Sequence, residues 1–151
     1  MTNYDLEKIL PHNHPMILID DIIEYNKEEQ SLTSKVTIHE KKLFFDKSIN
    51  GVPSCTGIEF MAQTIGCYAF FRNNEEPPKI GFLLGARLMN CAIDKFENGK
   101  TYTIKAKEVF TNAEIVAFDC IIYDDKGEEL ASSTVNTYQG DNVEELLKQN
   151  G

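Results

Sequence analysis

Apolar and polar positions alternate in two different rhythms along this chain. From Gly51 to Phe71 the spacing is helical, with Ile58, Met61, Ala62, Ile65, Tyr68 and Ala69 on one side and Phe60, Cys67, Phe70 and Phe71 filling much of the other. A surface helix keeps one polar face, so a helix that is apolar almost all the way round is expected to be surrounded by protein. Its two conspicuous polar residues, Glu59 and Gln63, stand four apart and share a face. A carboxylate on a buried helix costs free energy unless it is paired, hydrogen-bonded or functional.

Elsewhere the period is two. Met16 to Tyr25 reads as a strand, and so does Ser31 to His39, where Leu32, Ser34, Val36 and Ile38 alternate with Thr33, Lys35 and Thr37. The polar turn between them predicts a hairpin. Four more strands are expected: Lys79 to Ile93, Thr101 to Phe110, Glu114 to Tyr123 and Glu129 to Tyr138. Asn98-Gly99 and Asp124 to Gly127 mark turns between them. Asp5 to Leu10 is a short helical segment stopped by Pro11. Pro53 suits the entry to the long helix, Ser54 or Thr56 is placed to cap it, and Pro77-Pro78 forbids its continuation. One helix for one sheet predicts an α+β fold in which a curled antiparallel sheet of about five to six strands wraps a central helix. The whole chain, 1–151, reads as one domain, with a core over about 6–138 and a polar tail over 140–151. Apolar residues on the outer sheet face would favour dimerisation.

Composition narrows the function. A formal net charge of -9 argues against nucleic acid as a partner. No apolar run reaches the roughly 18 residues of a membrane-spanning helix, and the acidic start M-T-N-Y-D-L-E-K is unlike a secretory signal, so a cytoplasmic location is expected. Cys55, Cys67, Cys91 and Cys120 are widely spaced in apolar contexts and read as buried free thiols. With three scattered histidines they give no metal-ligand pattern, and no cofactor is expected.

Two stretches, L-P-H-N-H-P-M-I-L-I-D at Leu10 to Asp20 and P-S-C-T-G-I-E-F-M-A-Q at Pro53 to Gln63, resemble the hotdog-fold 3-hydroxyacyl-[acyl-carrier-protein] dehydratases. Gly85 to Leu88 and Phe96 to Tyr102 are similar to later segments of the same family. The chain looks closest to a dehydratase-like subgroup with G-x-P-x-x-x-G-I-E-[FY]-M-A-Q and I-G-F-L-L-G-x-R, here Gly51 to Gln63 and Ile80 to Arg87, whose members accompany aryl-polyene and related biosynthetic clusters.

The resemblance implies a hotdog domain, a dimer, and an acyl thioester on acyl carrier protein or coenzyme A as substrate. It places the family's catalytic glutamate at Glu59. Dehydration needs a base, an acid and polarisation of the thioester carbonyl. In the family a histidine and a glutamate from opposite protomers share the proton work. The family's histidine has no counterpart here, because the loop Phe44 to Pro53 contains no His. His12 is the candidate catalytic replacement, and His14 is its neighbour. Gly57 and Ile58 are candidate carbonyl-polarising N–H donors, and Gln63 is a positioning or substrate-binding group. Asn50 is a possible hydrogen-bond donor to substrate, Phe82 an acyl-lining residue and Arg87 a substrate-binding or Glu59-pairing cation. Arg72, Lys79, Arg87 and Lys95 form a possible basic patch for a carrier protein. Cys55, near the helix start, carries a weaker case as a nucleophile.

Three functions stay open at this point. The chain is a dehydratase with a substitute for the missing His, or a hotdog thioesterase using Glu59, or a non-catalytic hotdog subunit. The assembly is accordingly a homodimer or a heterodimer with a related subunit.

Overall fold

The computed structural model describes Leu6 and residues 17–72, 82–112 and 114–138, the backbone alone over 82–89. Eight strands and one long helix follow one another: β1 (Asp21–Asn26), β2 (Ser31–Thr37), β3 (Gly51–Pro53), α1 (Gly57–Arg72), β4 (Phe82–Cys91), β5 (Lys95–Glu97), β6 (Thr101–Asn112), β7 (Ile115–Tyr123) and β8 (Glu129–Tyr138). Six of them form an antiparallel sheet in the order β1-β2-β6-β7-β8-β4. β3 and β5 form a separate two-stranded ribbon.

The alternation read from the sequence becomes the inner face of the sheet. Leu32, Ser34 and Val36 of β2, Tyr102, Ile104 and Ala106 of β6, and Phe118, Cys120 and Ile122 of β7 are buried. α1 lies against this face across β2, β6 and β7, inserting Phe60, Met61, Ile65 and Tyr68. Burying each such side chain contributes roughly 1.5–3 kcal/mol, so these positions dominate the stability. Phe96 links ribbon to helix and sheet, with edge contacts to Phe60 at 5.1 Å and to Tyr102 at 5.0 Å between ring centroids. Along α1 only Arg72 is exposed; Ile58, Ala62, Gly66, Ala69 and Phe70 are half-buried. Thr64, buried at mid-helix, is satisfied by donating to the Phe60 carbonyl at 2.8 Å and by bonding the Ser34 hydroxyl at 2.7 Å.

Several expectations need correction. The first strand begins at Asp21 rather than Met16, although Ile17, Leu18 and Ile19 are buried as the apolar run suggested. Neither Ser54 nor Thr56 caps the helix. Residues Ser54–Thr56 make one 3-10 turn with no side-chain capping bond, and α1 starts after it. The segment expected to be only a turn at Asp94 to Lys100 contains β5. The outer face at β2 and β6 carries Thr33, Lys35, Thr37, Thr103 and Lys105, all half-buried, and apolar residues are exposed elsewhere on the sheet. The large apolar side chains that are exposed are Ile23, Phe44, Val109, Phe110 and Ile115, in β1, the loop before β3, the end of β6 and the start of β7. Leu6 is helical and buried; the rest of the expected N-terminal helix, His12, His14 and the 140–151 tail lie outside the described residues.

Candidate functional site

The site forms where α1 starts, and the ribbon fixes that start. Gly51 pairs with Glu97, and a Cβ on Gly51 would lie 2.4 Å from the Phe96 carbonyl oxygen, so only glycine permits this approach. The Ser54 N–H donates to the Asp94 carbonyl at 3.1 Å, and Lys95 Nζ donates to the Ile49 carbonyl at 2.6 Å. Gly57 then sits against Phe96 and Ile122, where a Cβ would meet side-chain carbons at 3.1 to 3.2 Å.

Glu59 occupies the first turn of α1 and is half-buried. A carboxylate there is favoured by the positive end of the helix dipole. One turn on, Gln63 is 1% exposed, and its side chain is spoken for at both ends. Its Oε1 accepts the Leu18 N–H at 2.8 Å and the Ile19 N–H at 3.4 Å. Backbone N–H groups only donate, so this orientation of the amide is dictated rather than chosen. Nε2 is thereby turned toward Glu59, donating to its Oε1 at 3.2 Å. The same bonds explain why residues 17–20 are not a strand: the Leu18 and Ile19 N–H groups go to a helix side chain instead of a neighbouring strand.

Behind this pair stands Lys42, which no sequence pattern singles out. Its Nζ donates to the Leu18 carbonyl at 2.9 Å and pairs with Asp20, and its side chain is 10% exposed. Asp20 also accepts the Thr37 N–H at 2.6 Å. Lys41-Lys42 reads in sequence as a solvated pair, and nothing local shows that one of the two is buried.

The other expected residues divide. Ile58 is half-buried beside Glu59, whereas the Gly57 N–H donates back to the Ser54 and Cys55 carbonyls within the 3-10 turn. Asn50 stands apart from the group. It is exposed, has φ of 52°, and is joined to Asn98 through both side chain (3.1 Å) and backbone (3.1 Å). Phe82 and Arg87 belong to β4, opposite Tyr138 and Thr134 of β8. Of the basic patch, Arg72 pairs with Glu108 at 3.1 Å at the far end of α1, and Lys95 serves the ribbon. Glu108 also accepts from Tyr68 at 3.3 Å and Thr111 at 3.0 Å. Burial, followed by the Glu108 charge, pushes the Tyr68 phenol well above its ordinary value. His39 is exposed.

Among the thiols, Cys67 and Cys120 are fully buried, and burial pushes each up to about 12. They are inert. Cys55 is exposed in the 3-10 turn, contrary to the expectation of a buried thiol. No helix among the described residues is long and apolar enough to cross a membrane.

The chain is 34% identical over 93 residues to the 3-hydroxyacyl-[acyl-carrier-protein] dehydratase FabZ of Acetivibrio thermocellus, a match covering 59% of this chain and 62% of that protein. It is 41% identical over 66 residues to FabZ of Koribacter versatilis, covering 41% of each. The matched stretches thus span less than two thirds of these relatives. Among solved structures, the dehydratase heterocomplex ApeI:P from Xenorhabdus doucetiae superposes with a TM-score of 0.83 at 24% identity, covering 99% of this chain and 100% of that one. A hypothetical thioesterase with coenzyme A from Streptococcus pneumoniae superposes with a TM-score of 0.62 at 11% identity, covering 80% and 84%. These likenesses show the hotdog fold. The profile of the ApeP-like family, described as ApeP dehydratase, matches residues 4–148, and the chain is therefore a member of the ApeP-like, FabZ-related dehydratase family.

Proposed function

We propose that this chain acts in the dehydration of a 3-hydroxyacyl thioester carried on acyl carrier protein, with Glu59 as the group that exchanges a proton with the substrate. The observation that carries the reading is the Glu59–Gln63 pair: a half-buried carboxylate at the start of a buried helix, held by an amide whose orientation the Leu18 and Ile19 N–H groups impose. A carboxylate serving only packing would gain nothing from such fixation, whereas proton transfer depends on it.

Elimination takes a proton from C2 and expels hydroxide from C3 with a proton from an acid, leaving the enoyl thioester and water. Glu59 accepts a hydrogen bond in this site, which suits the base. The dipole at the start of α1, with the Ile58 N–H, suits polarisation of the thioester carbonyl. The acid is an imidazole from outside the loop 44–53, which holds none. His12 is the intramolecular candidate, since the Leu18–Ile19 backbone tied to Gln63 leads back along the sequence to it. The alternative source is a related hotdog subunit. The ApeI:P structure is a dehydratase heterocomplex, which supports pairing of this chain with such a subunit.

The test is turnover of a short-chain 3-hydroxyacyl carrier protein followed by mass spectrometry, for the wild type, Glu59→Gln and His12→Ala. Loss of one water from the acyl group, abolished by Glu59→Gln, is expected. If His12→Ala keeps full activity, the imidazole comes from a partner. If the wild-type chain is inactive both alone and with every related hotdog subunit from the same genome, the reading fails.

A further inference from the structure

Among the described residues, a directed chain of hydrogen bonds leads to Glu59 from a half-buried cation. Lys42 Nζ donates to the Leu18 carbonyl oxygen at 2.9 Å. That carbonyl and the Ile19 N–H are the two ends of one peptide group, and the Ile19 N–H donates to Gln63 Oε1 at 3.4 Å, beside the shorter bond from Leu18 N–H at 2.8 Å. Gln63 Nε2 donates to Glu59 Oε1 at 3.2 Å. Ammonium, peptide, amide and carboxylate are therefore arranged head to tail. A charge at one end of such a chain polarises every link, and each amide becomes a better donor to the next acceptor.

The placement of Lys42 goes beyond what an ion pair requires. Its side chain is 10% exposed, although a lysine pairing with Asp20 alone loses little by staying in water. It reaches inward to a backbone carbonyl, and of the carbonyls nearby it reaches the one whose peptide ends on Gln63. It comes from the loop between β2 and β3, just ahead of the stretch 44–53 that holds no histidine.

We propose that Lys42 is a positioning residue for Glu59, acting through the Leu18–Ile19 peptide and Gln63. This rests on the reading of Glu59 as the proton-exchanging group. Lys42 touches no reacting atom; it holds the segment that holds Gln63 and strengthens the bond that orients the carboxylate.

The experiment uses the full chain, with its partner subunit where turnover requires one. Lys42→Met, Lys42→Arg and the double variant Lys42→Met/Asp20→Asn are compared for kcat, KM, Tm and the side-chain NH2 resonance of Gln63 in 15N-labelled protein. A loss of kcat of about tenfold with KM within about twofold is expected for Lys42→Met, the size of one charge-assisted link. The Gln63 NH2 protons move upfield as their hydrogen bond to Glu59 weakens, and Lys42→Arg recovers most of both effects. The double variant removes the ion pair without leaving Asp20 charged and alone, so it recovers Tm while kcat stays low. Recovery of kcat together with Tm in the double variant would overturn the proposal and leave Lys42 a structural ion-pair partner. An unmoved Gln63 resonance in Lys42→Met would overturn it whatever the turnover. A resonance that moves while Glu59→Gln is fully active would leave the chain of bonds standing and sink the catalytic reading of Glu59 instead.

Discussion

At the scale of single residues, Gln63 and Glu59 share one hydrogen bond but carry different burdens. Gln63 is almost fully buried and is the acceptor for two backbone N–H groups. Gln63→Leu strands both donors in an apolar site, and each unsatisfied buried group costs about 1–3 kcal/mol. A loss of about 2 kcal/mol is expected, read as a lower urea midpoint at unchanged slope. Glu59→Gln keeps the volume of a half-buried side chain, so its stability should stay within about 0.5 kcal/mol of the wild type while turnover is lost. A Gln63→Leu protein as stable as the wild type would show that the Leu18 and Ile19 N–H groups find other acceptors, and the clamp would lose its meaning.

At the scale of elements, the β3–β5 ribbon does for α1 what no cap does. Three residues per strand are too few for period or propensity to declare them, so the ribbon is invisible in the sequence, where Gly51 to Pro53 reads as the entry to the helix and Lys95 to Glu97 as turn. What makes it necessary is the close approach of Gly51 to Phe96. Gly51→Ala drives a Cβ to 2.4 Å from a backbone oxygen and is expected to cost about 2 kcal/mol or more, whereas Gly57→Ala meets only side-chain carbons at 3.1 to 3.2 Å inside a helix that favours alanine, and should cost less. Thermal melts of the two variants decide the order, and the reverse order would mean that the ribbon yields easily. The long elements were legible for the opposite reason. α1, β2 and β6 each bury a repeating face, and Met61, Ile65, Val36 and Ile104 announced it by spacing alone. The first strand starts later than its apolar run suggests because the run cannot reveal that its N–H groups are claimed by Gln63, a residue 45 positions away. The site was legible to the same depth. Two polar residues on an apolar helix point to Glu59 and Gln63 as candidates, Asn50 is tied to Asn98, and Lys42 is hidden because its partners lie 22 and 24 positions distant.

At the scale of the whole molecule, helix and sheet meet over one core, and two thiols record how dry it is. Cys67 lies on α1 and Cys120 on β7; both are at 0% exposure, and burial raises each from 9.0 to about 12. The sign of the consequence is fixed. The folded state keeps these protons where the unfolded chain has released them, so the stabilisation is complete below about pH 9 and is lost as the pH rises from there toward about 12. At about pH 10.5 the two thiols together remove roughly 4 kcal/mol, at about 1.4 kcal/mol per pH unit each. Tyr68 adds to the same alkaline limb, since its phenol is raised by burial and by Glu108. Urea midpoints at about pH 8 and about pH 10.5 therefore separate the wild type from Cys67→Ala/Cys120→Ala. The variant begins lower, because it leaves small cavities, but it loses less between the two pH values, since it lacks the two thiols. Equal losses would mean that the core opens to hydroxide before the thiols ionise. In that case Cys67 and Cys120 should also react with a thiol reagent in the native protein at a rate near that of the exposed Cys55, and slow labelling of those two beside rapid labelling of Cys55 is the matching sign of an intact, dry core.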